Sequence, residues 1–312
     1  MLKNKKIAIL GATSHIAKGL IYNFSKSRYK NIFLFARSLT RLQYFLSEIN
    51  CKNKWAKKNF NEFKNYNYDV IINCVGLGTP SKVKDAGYDI FSLTEKFDNM
   101  IIEYLVNRPK TLYINFSSGA VYGSDFASPV NNSTFSKWNI NNIKESDYYG
   151  MAKLNSEAKH RALKKFNIVD LRVFGYFSRF MDIDMNYFLG EIILCLKSGK
   201  VFETNGRNIT RDFIHPTDIF LLVEKCILKR KINDAFDVYS KKPITKFEIL
   251  NFFKKKYKLK YLIKESKKII SVTGIKDNYF SLSRKAKEIG YKSYFSSLDC
   301  ISMETNYILE NW

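Results

Sequence analysis

The 312-residue sequence predicts an α/β chain, a doubly wound parallel sheet with a smaller C-terminal α/β substrate lobe. Three observations predict it. Short apolar runs alternate with helix-phased segments through the first half, as in parallel sheets buried on both faces. The first apolar run stops at a glycine that opens a helix. After about residue 175 this rhythm loosens, in a chain long enough for two lobes.

Taken in order, Lys6-Ile7-Ala8-Ile9-Leu10 is the first strand and Ile16 to Ser25 its helix. Asn31 to Phe35 is the second strand. Asp69 to Val75, apolar and closed by Gly76, is a buried strand. In the long segment behind it Ile90, Phe97, Ile101 and Leu105 keep helical phase. Thr111 to Phe116 and Ile168 to Phe174 are further strands. Residues 185–199 read as helix, 201–215 as irregular, and Ile219 to Leu228 as helix behind Pro216 near its start. No internal repeat interrupts the pattern. The expected division is a dinucleotide-binding domain of residues 1–175, also receiving about 216–242, and a substrate-binding lobe of 176–215 and 243–312.

A formal charge of +23 raises the question of nucleic acid. Yet 41 of the 52 basic residues are lysine and only 11 arginine, whereas reading a groove favours the guanidinium fork. That balance argues against a nucleic-acid partner, while a positive field still attracts a polyanionic cofactor or substrate. The densest run, Lys254-Lys255-Lys256 through Lys267-Lys268, reads as a solvated face. Five scattered cysteines and three histidines (His15, His160, His215) show no disulfide framework or metal-ligand spacing, so no metal is expected. No apolar run reaches the roughly 18 residues of a membrane span, and the opening segment is too short for a signal-peptide core. A cytoplasmic chain without membrane insertion is expected.

The first strand runs into Gly11-Ala12-Thr13-Ser14-His15-Ile16-Ala17, a tight turn that aims backbone N–H groups and a helix N-terminus at one point. Gly11 stands where a phosphate-binding fingerprint needs it, but Ser14 and Ala17 occupy the later glycine positions. The segment admits a pyrophosphate cradle or an ordinary strand–helix turn. Read as a cradle, it offers Gly11, Thr13, Ser14, His15 and Ile16 to a dinucleotide.

The Thr111–Phe116 strand runs on into Ser117-Ser118-Gly119-Ala120-Val121-Tyr122-Gly123, and Tyr148-Tyr149-Gly150-Met151-Ala152-Lys153 follows downstream. Tyr149 and Lys153 stand at i and i+4, on one face of a helix. An ammonium about 4 Å from a phenol is worth about 4 kcal/mol at an effective dielectric near 20, up to about three pKa units before desolvation opposes it. A phenol so lowered exchanges a proton with a sugar hydroxyl or ketone near neutral pH.

With Asn73-Cys74-Val75-Gly76, the Ser117–Gly123 segment, Tyr149 to Lys153, Arg211-Asp212-Phe213-Ile214-His215-Pro216-Thr217-Asp218 and Ser283 to Gly290 in this order, the sequence resembles the extended short-chain dehydrogenase/reductases nearly end to end. These are NAD(P)-dependent nucleotide-sugar epimerases, dehydratases and reductases on a Rossmann-type sheet. The resemblance implies Ser118, Tyr149 and Lys153 as the catalytic set. Tyr149 would donate and accept the proton, Ser118 would hold the reacting oxygen, and Lys153 would hold the nicotinamide ribose. It implies Cys74, Val75 and Gly76 beside the cofactor, Arg211 on the substrate diphosphate, and Asn186 near the nucleotide. Tyr122 and Tyr176 are offered to the sugar pocket, and Arg179 and Arg207 as further phosphate candidates. A homodimer and a place in surface-polysaccharide synthesis are expectations of the same kind.

Two departures narrow the reaction. The family's 4,6-dehydratases carry an Asp-Glu pair just after the catalytic hydroxyl residue, where this chain has Gly119-Ala120. Plain oxidoreduction at one carbon, C4, is the simpler expectation. At the end of the second strand an NAD site places an acid against the ribose 2′-OH, but here stand Arg37-Ser38, suited to a 2′-phosphate. NADP is therefore expected ahead of NAD, and with it reduction of a 4-keto nucleotide-diphosphate sugar. The alternatives are an NAD-dependent 4-epimerase or 4-dehydrogenase, and a non-catalytic nucleic-acid-binding or regulatory member.

Overall fold

The computed structural model describes residues 2–77, 80–184, 187–265 and 276–311. In chain order, β1 (Ile7–Leu10) leads into α1 (His15–Lys26), β2 (Ile32–Phe35) into α2 (Leu39–Glu48), and β3 (Ala56–Lys58) precedes β4 (Val70–Asn73). Helices α3 (Pro80–Ala86) and α4 (Asp89–Asn107) precede β5 (Leu112–Ser118), and α5 (Glu145–Ala162) precedes β6 (Asn167–Val173). Then come α6 (Phe188–Ser198), β7 (Phe202–Thr204), β8 (Thr210–Arg211), α7 (Pro216–Ile227) and β9 (Asn233–Asp237). The chain ends with β10 (Ile244–Thr245), α8 (Lys246–Tyr257), β11 (Tyr261–Ile263), β12 (Asn278–Tyr279) and α9 (Ser297–Glu310).

Alternation along the strands sorts side chains onto two faces. Ile7 and Ile9 of β1 enter one core with Leu20 and Phe24 of α1 and Leu222 and Val223 of α7. Ala8 and Leu10 enter the opposite core with Ile101 and Leu105 of α4. Seven strands form one sheet in the order β3-β2-β1-β4-β5-β6-β9, every neighbouring pair parallel. Strand order reverses between β1 and β4, and in such sheets the crevice beyond the strands' carboxyl ends takes the ligand. Gly11 behind β1, Arg37 behind β2, Cys74 to Gly76 behind β4 and Ser118 closing β5 all lie at those ends.

A separate core joins Leu189, Ile192 and Ile193 of α6, Ile249, Leu250 and Phe253 of α8, and Ile301 and Ile308 of α9. Lys254, Lys255 and Lys256 end α8 exposed, where cations suit the negative helix terminus. Lys267 and Lys268 of the same run lie outside the described residues. Several features, β9 among them, were absent from the sequence expectation. Strand β3 was not anticipated, because Ala-Lys-Lys at a sheet edge needs no apolar run. The irregular stretch 201–215 holds the short strands β7 and β8, and β8 pairs with β10 and β12. Among the described residues no helix is long and apolar enough to cross a membrane.

Candidate active site

The turn after β1 is built around Gly11. Its φ of +72° favours glycine, and a Cβ there would lie 2.9 Å from the Cys74 carbonyl and the Val75 nitrogen. β1 and the end of β4 thus approach too closely for any side chain. The β4 end is fixed in turn, with Cys74 N–H donating to the Leu10 carbonyl (3.0 Å) and Val75 N–H to Asn73 Oδ1 (3.0 Å). Ser14 at the second glycine position caps α1, its Oγ accepting from Ala17 N–H at 3.4 Å, which leaves the hydroxyl proton free to donate. Thr13 is half-buried in the turn, and Ile16 packs on the main core.

His15 opens α1 with Nε2 2.8 Å from Ser178 Oγ and its ring edge-on to Tyr176. Burial lowers its pKa to about 4, so the imidazole is neutral. Tyr176 lies over α1 so closely that a Cβ on Gly19 would fall 1.9 Å from its hydroxyl. Sequence reading passed over Gly19, because nothing local signals an approach from beyond β6. Arg37 stands exposed at the β2 end, and Ser38 beside it caps α2 by accepting from Arg41 N–H at 3.2 Å.

Ser118, Tyr149 and Lys153 come together where α5 meets the end of β5. Gly150 makes this approach feasible, since a Cβ there would lie 2.4 Å from the Ala120 carbonyl. Buried Lys153 donates from Nζ to the Phe116 carbonyl at 3.0 Å, and a Cβ on Gly76 would sit 3.6 Å from that nitrogen. The lysine therefore lies under the end of β4. Desolvation lowers its pKa against the pull of Asp98, Asp170, Cys74 and Glu157.

The Tyr149 pKa, expected to be lowered, is raised. Burial raises it, and a hydrogen bond with Ser118 only partly offsets the rise. Lys153 donates one of its three N–H groups to the Phe116 carbonyl and is not among the groups that shift the Tyr149 phenol. Behind Ser118, the Phe174 ring fills the space beside Gly119, where a Cβ would come within 2.3 Å of it. No carboxylate-bearing side chain fits at that position.

Tyr279 was missed by sequence reading. Its hydroxyl lies 3.1 Å from Ser118 Oγ, and its ring touches Phe126 and Phe174. The parallel pairing of β12 with β8 sets it opposite Arg211 in register. No spacing rule links those two strands along the chain.

Several other candidates are relocated. The Tyr122 hydroxyl, offered to the sugar pocket, is already taken: it donates to Asp237 (3.0 Å) and accepts from Arg172 (2.7 Å). Arg172 in turn forks onto Glu157, which also accepts from Ser117. Arg179 grips Glu304, and Arg207 grips Asp277, each through two nitrogens, so neither guanidinium is left over for phosphate. Arg211 spends only Nη1, on the Thr210 and Asp277 carbonyls, and desolvation lowers its pKa to about 10. Asn186 lies outside the described residues.

Below Lys153, His160 is fully buried between Asp170 (2.9 Å) and Asp98 (2.7 Å). Burial opposes its charge, yet the two carboxylates raise its pKa to about 9, and the imidazolium donates from both nitrogens. Arg161, Lys159, Asn115 and Tyr113 complete the shell around those acids.

A parallel doubly wound sheet with serine, tyrosine and lysine gathered at its switch-point crevice defines a dinucleotide-dependent α/β enzyme. The chain belongs to the NAD dependent epimerase/dehydratase family, whose model matches residues 7–238. Among solved structures it is similar to the UDP-N-acetylglucosamine 4-epimerase of Methanobrevibacter ruminantium in complex with UDP-N-acetylmuramic acid. That similarity has a TM-score of 0.81 at 14% identity, over 99% of this chain and 100% of the other. The UDP-glucuronic acid 4-epimerase of Bacillus cereus, with UDP-glucuronic acid and NAD, follows at TM-score 0.80 and 16% identity over 98% and 100%. The dTDP-glucose 4,6-dehydratase of Bacillus anthracis, with NAD, has TM-score 0.77 and 13% identity over 98% and 97%. At these identities the likeness is one of fold. No curated protein matches the sequence.

Proposed function

We propose that the protein reduces the 4-keto group of a nucleotide-diphosphate sugar with NADP as its cofactor. The residues fit a dinucleotide: Gly11 lets the turn after β1 close onto the end of β4, Gly76 leaves room beside the Lys153 ammonium, and Ser14 keeps a donor proton at the start of α1. Gly11, Thr13, Ser14, His15 and Ile16 would hold the pyrophosphate, Cys74 to Gly76 would flank the ring, and Lys153 would hold the ribose. A bound nicotinamide would supply the hydride.

The remaining chemistry belongs to the side chains. Ser118 hydrogen-bonds the reacting oxygen and fixes its position. Tyr149, held neutral by burial, is the proton donor to that oxygen. Arg211 takes the diphosphate with the guanidinium nitrogens its backbone contacts leave unused. Phe174 beside Gly119 argues against elimination of water, because the carboxylate pair that elimination needs has no room at that position. Residues 1–175 with 216–242 would serve the cofactor, and 176–215 with 243–312 the sugar. The same reading makes the protein a cytoplasmic homodimer in surface-polysaccharide synthesis, its five cysteines all free as a reducing compartment favours.

The cofactor choice rests on one observation: exposed Arg37 at the end of β2, with no acid beside it. The purified enzyme should oxidise NADPH faster than NADH with a 4-keto nucleotide sugar, and Arg37→Asp should reverse that preference by about tenfold or more. A second reading, epimerisation at C4 on retained NAD, is favoured by the whole-length likeness to two 4-epimerases. Mass spectrometry of the native protein separates the two. Firmly bound NAD without net turnover would support the epimerase and end the reductase reading.

A further inference from the structure

Lys276 is a buried lysine with no carboxylate of the chain paired to it. It is 4% exposed, with Nζ 4.4 Å from the centre of the Tyr279 ring and 5.1 Å from that of Phe126. The Arg211 guanidinium lies 6.0 Å from the centre of the same Tyr279 ring, so the two cations flank one aromatic side chain. Every Asp and Glu of the sequence is among the described residues, and none forms an ion pair with Lys276 or Arg211. Neighbouring Asp277 is already gripped by Arg207. Ring faces stabilise an ammonium by far less than burying it costs. An anionic group on a ligand would supply the missing counter-charge.

The place of the pair says which ligand. Tyr279 touches Ser118, which holds the reacting oxygen in the reading above, so Lys276 packs against the wall of the sugar site. The reading above gives the diphosphate to Arg211. We propose that Lys276 is a specificity-determining cation for a carboxylate carried by the sugar, making the substrate a nucleotide-linked acidic sugar. The inference rests on the nucleotide-sugar reading and deepens it. Burial and Arg211, against the opposing pull of Asp147, lower the Lys276 pKa to about 7. An arriving carboxylate restores the ammonium, so binding near pH 8 takes up a proton.

Calorimetric titration of the protein as purified with UDP-glucuronate, UDP-glucose and UDP tests this, with GDP-mannuronate, GDP-mannose and GDP run in parallel. The acidic sugar should bind about tenfold or more tighter than the neutral one, with proton uptake visible in buffers of different ionisation enthalpy. Lys276→Met should erase both effects and leave nucleoside-diphosphate affinity unchanged. Equal affinity for acidic and neutral sugars would overturn the proposal while sparing the nucleotide-sugar reading. An equal loss for UDP and UDP-glucuronate in Lys276→Met would overturn it too, by assigning the lysine to the diphosphate. If neither series binds at all, the nucleotide-sugar reading itself falls.

Discussion

Two clusters of buried charge flank the junction of α5 and β5, and they are built on opposite plans. Below Lys153, His160 is closed in by Asp98 and Asp170, and each of those acids has a further cation in Lys159 or Arg161. Beside Ser118, Lys276 and Arg211 face one tyrosine ring with no acid between them. The first cluster is complete within the chain and works as scaffold. It fixes α5 against the sheet and so sets where Tyr149 and Lys153 stand. The second is incomplete without an anion. Buried charge thus separates what the protein spends on its own shape from what it holds for a ligand.

Tyr149 stands between the clusters, and its loss should have the largest effect. Tyr149→Phe keeps the ring and removes the proton, so turnover should fall about 10²–10⁴-fold while the melting temperature hardly moves. Retention of more than a tenth of wild-type turnover would take the phenol out of the reaction.

In the scaffold cluster, Asp170→Ala strands His160 and Arg161 without their shared acid. Unfolding in urea should show a loss of about 3–5 kcal/mol, and a loss below 1 kcal/mol would erase the distinction drawn here.

His160 and His15 should differ in the sign of their pH dependence. His160, raised to about 9, contributes stability that is whole below its unfolded pKa of 6.5 and is lost as pH rises through 9. His15, lowered to about 4, resists protonation in the folded state. Stability therefore drains away as pH falls from 6.5 through 4. Each effect has a ceiling of about 3 kcal/mol. Comparing urea midpoints across pH, His160→Asn should flatten the alkaline limb and His15→Phe should reduce the acid one. Unchanged slopes would refute the assignments.

The smallest effect belongs to the ligand-facing cluster. Lys276→Met removes an unbalanced buried cation in exchange for an apolar side chain of similar length. Folding stability should hold or rise by about 1 kcal/mol. A fall of 2 kcal/mol would mean that the chain does supply a partner and that both clusters are scaffold.

Much of this was legible in the order of residues. The alternation Ile7-Ala8-Ile9-Leu10 announces a strand buried on both faces, and it enters two different cores. Gly11, Ser118, Tyr149 and Lys153 announce themselves because strand, turn and one helical face are local arrangements. Elsewhere the sequence misled. Tyr122 looks like a pocket residue only while Arg172 and Asp237 are out of view. The Tyr149–Lys153 spacing suggests a lowered phenol pKa, until the burial of the phenol is seen to raise it. Tyr279 and Lys276 carry no signal at all, because Ser118, Phe126 and Arg211 lie far from them along the chain.

By itself, the sequence determined the doubly wound sheet and the serine, tyrosine and lysine at its edge, since strand periodicity and i,i+4 spacing act over a few residues. Only the tertiary structure decided which charges are answered and which are left waiting. Desolvation and ion pairing depend on what lies within a few ångströms in space, and there residues far apart along the chain meet.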